Sequence, residues 1–115
     1  FIDKRTAAGG RMWNYVFAFE SPFNGGTIAW HCSELPFVFR NSAYLEPSYV
    51  PVVSEKLEKE MSGAWVSFAR SGDPCHEFLP EWTPAAPGRI TTMVFGTDTV
   101  QRTEHDRELM ELITQ

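Results

Sequence analysis

The chain has 115 residues, of which 43% are hydrophobic, 22% charged and 14% aromatic, and its formal net charge is -5. That composition supports one globular unit with a real core and excludes a disordered chain. The acidic balance, with Lys4-Arg5 as its longest cationic run, excludes a nucleic-acid footprint, and no apolar stretch reaches the roughly 18 to 20 residues of a membrane span.

Residues 1–10 end in Ala7-Ala8-Gly9-Gly10 and read as a loop or as the tail of an earlier element. No secretory signal precedes the first strand-like segment. A start at Phe1 rather than methionine reads as a piece of a longer protein. Met12 to Phe19, MWNYVFAF, is almost continuously apolar. Its length favours a strand, and its lack of alternation implies burial on both faces, as in the centre of a parallel sheet. Such a strand needs neighbours on both sides, and this chain offers few. Large aromatic surfaces also need facing surface, so partner surface is expected to be missing.

Ser21-Pro22 and Asn24-Gly25-Gly26 mark a loop. The segment Trp30 to Phe39, WHCSELPFVF, follows it and holds His31 and Glu34 in an otherwise apolar run. Ser33 to Phe39 reads as a short helical turn, and Arg40 to Pro51 as irregular chain punctuated by Pro47 and Pro51. From about Val52 to Ser71 the pattern becomes helical. Val53, Leu57, Met61, Ala64, Trp65 and Phe68 form one apolar stripe. Glu55 and Lys59 stand as an i,i+4 pair, Arg70 suits the last turn, and Gly72 with Asp73-Pro74 ends the helix.

Four prolines make residues 73–89 a loop, which Trp82 is expected to pin down. Ile90 to Phe95 reads as a second strand, Gly96-Thr97-Asp98 as a turn, and Thr99 to Arg102 as a return strand. Thr103 with Glu104 and Asp106 marks a helix start, His105 reads as a solvated residue of its first turn, and Leu109, Leu112 and Ile113 supply its apolar face.

Four features carry chemistry. His31 beside apolar residues has a structural reading and a catalytic one. Glu34 can hold an imidazole in one tautomer or stabilise its charged form, or can itself be satisfied by backbone amides. Cys32 adjoins His31, but adjacent side chains rarely face each other, which weighs against a cysteine nucleophile. The doublets His31-Cys32 and Cys75-His76 total four possible zinc ligands, yet they lie more than forty residues apart without the short spacings of a zinc site. No metal and no cofactor is expected. Two cysteines do not make a disulfide scaffold, so free thiols and a reducing, cytoplasmic compartment are the expectation. No serine has a G-x-S-x-G context, and no phosphate-binding or dinucleotide fingerprint is present. The chain has a possible base and nothing for it to activate.

The order of segments resembles the C-terminal part of the type-B carboxylesterases, the family of the cholinesterases and the bacterial para-nitrobenzyl esterases. The matching pieces are MWNYVFAF, the Gly25-Gly26 loop, AWHCSELPFVF (Ala29 to Phe39), AWVSFARSGDP (Ala64 to Pro74), Trp82 and TTMVF (Thr91 to Phe95). They cover nearly the whole chain, and the histidine block looks closest to bacterial members. The resemblance implies the C-terminal portion of an α/β-hydrolase fold: a central parallel strand, a long packed helix, a later strand or hairpin and a terminal helix. Residues 1–115 would then be part of a single domain, not a complete one. By matching position His31 would be the triad histidine and Glu34 a supporting glutamate near it. The nucleophilic serine, the triad acid and the oxyanion loop would lie upstream. The implied activity is serine-dependent hydrolysis of small-molecule carboxylic esters by the parent protein, with this piece inactive alone. The alternatives are a non-catalytic interaction or structural module that self-associates through its uncovered faces, and a relative that has lost its serine.

Overall fold

The computed structural model describes residues 1–113. In chain order the elements are helix α1 (Ile2–Ala7), strand β1 (Asn14–Phe17), helix α2 (Leu35–Val38), helix α3 (Val53–Ser71), strands β2 (Thr91–Phe95) and β3 (Val100–Thr103), and helix α4 (Arg107–Ile113). Short 3-10 turns at Phe23–Gly25, Ser42–Tyr44 and Glu46–Ser48 punctuate the connections. The sheet order is β1-β2-β3. β1 runs parallel to β2, with Asn14 opposite Thr92 and Phe17 opposite Phe95. β2 and β3 form an antiparallel hairpin in which Thr91 faces Thr103. The ladder continues one step past β1, where Ala18 N donates to Phe95 O at 2.7 Å.

The parallel pairing expected of MWNYVFAF is present on one side. The other edge of β1 carries no strand among the described residues, so β2 is the middle of the three. Burial follows this order: all four β1 residues are half-buried, whereas Thr91, Thr92, Met93 and Phe95 of β2 are buried.

α3 lies across the sheet on the stripe read from its periodicity. Leu57, Met61 and Ala64 are buried against Phe19, Phe37, Trp82, Met93 and Phe95. Removing a large apolar side chain from water contributes about 1.5–3 kcal/mol, so this one helix face supplies much of the core. Two residues at the stripe's C-terminal end stay more open: Trp65 is half-buried and Phe68 exposed. Gly72 ends the helix at φ 73°, in the left-handed region, and its N–H closes on Phe68 O at 2.8 Å.

The structure corrects several local expectations. Of the two readings of residues 1–10, a loop or the tail of an earlier element, the loop fails for Ile2–Ala7, which form a short helix. The i,i+4 ion pair on α3 is Lys56–Glu60 at 3.6 Å, because Glu55 instead accepts the Tyr49 hydroxyl at 3.0 Å. Glu60 is itself buried and accepts the Thr99 hydroxyl at 2.6 Å, tying the β2–β3 turn to the helix. α4 begins at Arg107 instead of Thr103. Glu104 and Asp106 adopt positive φ, 56° and 58°, which breaks the helix before it starts. Glu104 works as a staple: its N–H donates to Ile90 O at 2.7 Å and its carboxylate accepts Ile90 N–H at 2.8 Å. His105 therefore precedes the helix, half-buried and 3.2 Å from Asp106, rather than solvated within its first turn. Leu109, Leu112 and Ile113 are exposed.

Candidate active site

The site is built outward from the C-terminal end of β1, where ligands collect on open α/β sheets. Phe19 is buried just beyond the strand. The chain then makes a closed loop: Ser21 and Thr27 exchange backbone hydrogen bonds at 3.0 and 2.8 Å. The Ser21 hydroxyl accepts Phe23 N–H at 3.1 Å, and the Thr27 hydroxyl donates to Phe23 O at 3.1 Å. Positive φ at Asn24, Gly25 and Gly26 lets the chain reverse in so short a span. The Asn-Gly-Gly signal thus marks a loop whose neck is pinned.

His31 occupies the second position of the next turn, Trp30 to Ser33. Ser33 N donates to Trp30 O at 3.0 Å, and the Ser33 hydroxyl accepts Trp30 N–H at 3.2 Å. Cys32, at the third position, has φ 65°. A single positive φ there is the mark of a type II turn, which normally takes glycine or asparagine. A non-glycine residue so placed carries roughly 1–2 kcal/mol of backbone strain, and such strain persists only where the surroundings impose it.

Those surroundings are visible. Ser33 and Pro36 are buried, and Phe37 is fully buried at 0% exposure. The Phe37 ring lies 5.3 Å from both Phe17 and Phe19, which are themselves 6.2 Å apart. This aromatic cluster bolts α2 to the end of β1 and packs α2 on α3. Asn41 N donates to Pro36 O at 2.9 Å, closing α2 with Arg40 at φ 54°. His31 sits on this frame without being part of it: its side chain is exposed and makes no hydrogen bond to another described residue.

Glu34 is half-buried at the N-terminus of α2. Its carbonyl accepts Phe37 N–H at 3.0 Å and Val38 N–H at 3.2 Å. Its carboxylate forms no hydrogen bond to His31 among the described residues, but it acts on Tyr15. Burial raises the Tyr15 phenol above its ordinary value, and the negative charge of Glu34 raises it further. The Tyr15 ring is held edge-on to Trp65 at 5.0 Å and to Phe95 at 6.0 Å.

The two cysteine-histidine doublets do not converge. Cys32 and Cys75 are both free and exposed, and among the described residues no group of three or more His, Cys, Asp or Glu side chains could hold a metal ion. The Cys75 thiol donates to Trp82 O at 3.2 Å, and His76 Nε2 donates to Glu60 O at 2.9 Å. Both serve to fasten the 73–89 loop. The sequence reading missed the aromatic cluster around Phe37 and the seat of His76. The second had a signal: Gly63 stands in the middle of a helix, where glycine costs about 1 kcal/mol relative to alanine and usually marks a close approach.

A family model described as the carboxylesterase family matches residues 1–112. The chain belongs to the carboxylesterase family. Phenmedipham hydrolase of Pseudarthrobacter oxydans is 36% identical over 90 residues, which is 73% of this chain and 18% of that protein. An esterase of Clostridium hathewayi superposes with a TM-score of 0.91 at 37% identity, covering 98% of this chain and 23% of that one. A carboxylesterase of Geobacillus stearothermophilus gives a TM-score of 0.81 at 32% identity, covering 96% and 23%. The chain thus spans about a fifth of the length of these carboxylesterases, and its mixed sheet and packed helices are a C-terminal portion of their α/β-hydrolase fold. Among the described residues no helix is long and apolar enough to cross a membrane.

Proposed function

We propose that this chain supplies the general base, His31, of a serine-dependent carboxylic-ester hydrolase whose nucleophile and triad acid lie in other parts of a longer protein. The observation that carries the reading is the placement of His31. It is an exposed imidazole on a clamped, strained turn at the C-terminal end of a parallel strand, in a chain of the carboxylesterase family. A base must be reachable by a group it does not yet touch, and a rigid turn keeps its position fixed until that group arrives.

In this reading His31 takes the proton of the serine hydroxyl as oxygen attacks the ester carbonyl. It then hands that proton to the departing alcohol, and water repeats the cycle on the acyl-enzyme. Glu34 is a positioning residue: it stands at the N-terminus of α2, three residues after His31, in the segment that carries the turn. Residues 1–115 are one part of a single hydrolase domain, and the uncovered edge of β1 is where the sheet continues. The substrate class is small-molecule carboxylic esters, with no nucleic acid or membrane partner, no metal and no cofactor. Two exposed thiols fit a reducing compartment, the cytoplasm.

The deciding experiment uses the full-length protein. His31→Ala should lower kcat for an aryl ester on the order of 10^4-fold while leaving the fold intact. Undiminished turnover in His31→Ala overturns the assignment. Glu34→Gln should lower kcat with KM unchanged; a lower melting temperature with unchanged kcat would leave Glu34 a structural acid only. The 115-residue piece alone should not exceed the hydrolysis given by free imidazole.

A second reading, a non-catalytic interaction module that self-associates, is favoured by one observation. Phe39 and Tyr44 are 71% and 88% exposed, and β1 has an open edge, a ready template for pairing. Light scattering on the isolated piece tests it, and a monomer at high concentration would count against it.

A further inference from the structure

The geometry points to an anion-binding site on the outer flank of α3, built for a small organic molecule that carries a phosphate or carboxylate group beside an apolar body. It is independent of the His31 assignment.

The site follows from helix periodicity. Lys59, Ser62, Val66 and Arg70 recur at spacings of three and four, so they share one stripe of α3. This is a different stripe from that of Leu57, Met61 and Ala64, which bury into the core. Two other segments close over it. Arg40 comes in from the end of α2, and the loop after α3 brings His76 and Phe78. Together these residues line a cavity of about 500 Å³.

Three cations, Arg40, Lys59 and Arg70, therefore meet around one concavity. Each is exposed and makes no ion pair or hydrogen bond with a described side chain. Lack of a partner is shared by other basic residues of the chain; convergence is what singles these three out. The lining holds one acid, Glu77. A chain with a net charge of -5 thus concentrates positive charge around one open concavity, which raises the local concentration of anions. The Ser62 hydroxyl has no partner among the described residues and is available to donate. Arginine guanidinium groups suit phosphate and carboxylate oxygens in bidentate geometry.

The remaining walls explain the apolar body. Phe78 and Val66 are exposed hydrophobics on the same lining. The Phe78 ring is held at 6.2 Å from His76, roughly edge-on. His76 is in turn seated on the helix through Glu60 O. A planar ring or short acyl chain can therefore lie against a fixed aromatic surface while its anionic end reaches the cations. The cavity lies within the size range of small-molecule sites, whereas a bare phosphate would leave most of it wet.

Calorimetric titration of the full-length protein with phenyl phosphate tests this, with inorganic phosphate and benzyl alcohol as probes for the two halves. Phenyl phosphate should bind saturably and at least about tenfold more tightly than inorganic phosphate, and benzyl alcohol should not bind measurably. Its affinity should weaken as salt rises. Arg40→Gln and Arg70→Gln, both at exposed positions, should each weaken binding about tenfold, and the double variant should abolish it. Lys59→Gln is the third, independent check. The proposal is overturned if phenyl phosphate does not saturate, if it binds as well to the double variant, or if inorganic phosphate binds equally well. Binding of phenyl phosphate at the proposed catalytic site would survive Arg40→Gln and Arg70→Gln, so that outcome also overturns the site on α3 without touching the assignment of His31.

Discussion

Two regions of this chain treat their aromatic and apolar residues in opposite ways. Between α3 and β2, Leu57, Met61, Met93, Phe95 and Phe37 are sealed from solvent. A few residues away, around the His31 turn, Ile28, Trp30, Leu35 and Phe39 are exposed. Exposure in the second region is not looseness. The Trp30–Ser33 turn is closed by hydrogen bonds from Ser33 N and to the Ser33 hydroxyl, and α2 is anchored by Phe37. The frame that holds His31 is thus built from described residues, while its exposed side meets none of them. The base proposed at His31 would use both: a core to fix its position and an open face toward a reacting partner.

The largest effect that would break this contrast is the loss of about four orders of magnitude in kcat expected for His31→Ala if the proposed role of that exposed residue holds. Next comes the core side. Phe37→Ala removes a fully buried ring that touches both Phe17 and Phe19. It should destabilise the full-length protein by about 3–5 kcal/mol, read as a shift in denaturant midpoint. Because Phe37 holds the turn, kcat should also fall below the melting transition while His31 itself is intact. Unchanged kcat in a destabilised variant would show that the turn is fixed by something other than this cluster.

How far the sequence revealed all this depends on the range of the interactions involved. The α3 stripe, its Gly72 terminus and the β2–β3 hairpin were legible because local periodicity and turn chemistry determine them. The extent of β1 was less so: MWNYVFAF reads as eight strand residues, but only Asn14–Phe17 are paired as strand, since a single neighbour defines the ladder. Glu104 and Asp106 misled because acids before an apolar run normally begin a helix. Here Glu104 is recruited by Ile90, fourteen residues away, and no local rule encodes that. The candidate site was legible in its residue types and, through family resemblance, in the family to which the chain belongs. The positive φ at Cys32 and the effect of the Glu34 charge on Tyr15 needed three dimensions.

A smaller effect tests how tightly the frame is built. Gly63 lies beneath the His76 ring, and a Cβ placed there would sit 2.5 Å from Cε1 of that ring. Helix propensity alone would make Gly63→Ala stabilising by up to about 1 kcal/mol. Steric conflict and loss of the His76–Glu60 hydrogen bond should outweigh it, giving a net loss of about 1–2 kcal/mol. The double variant Gly63→Ala, His76→Ala should recover much of that loss, because the clash is gone and the propensity gain remains. Additive losses in that cycle would refute the close approach as the reason for glycine.

The smallest effect concerns the exit from α3, where the frame meets solvent. Asp73 Oδ1 accepts Cys75 N–H at 3.0 Å, and Oδ2 lies 3.3 Å from Arg11 Nη2. The bond from the Cys75 backbone N–H, with a lesser contribution from Arg11, holds this carboxyl below its ordinary value of 3.8. A carboxylate whose native pKa is depressed adds stability that is complete above the unfolded value and disappears as pH falls through the lower native one. Its side chain is 42% exposed, and solvent screening limits the contribution to about a few tenths of a kcal/mol. Asp73→Asn keeps an oxygen to accept the Cys75 N–H and removes only the charge. The variant should therefore melt slightly below the parent at pH 5, and the two curves should converge as pH falls below about 3.8. A gap that persists unchanged at pH 3 would mean that the turn geometry, not the charge, stabilises this end of the helix, and the boundary between sealed core and open surface would then be set by backbone shape alone.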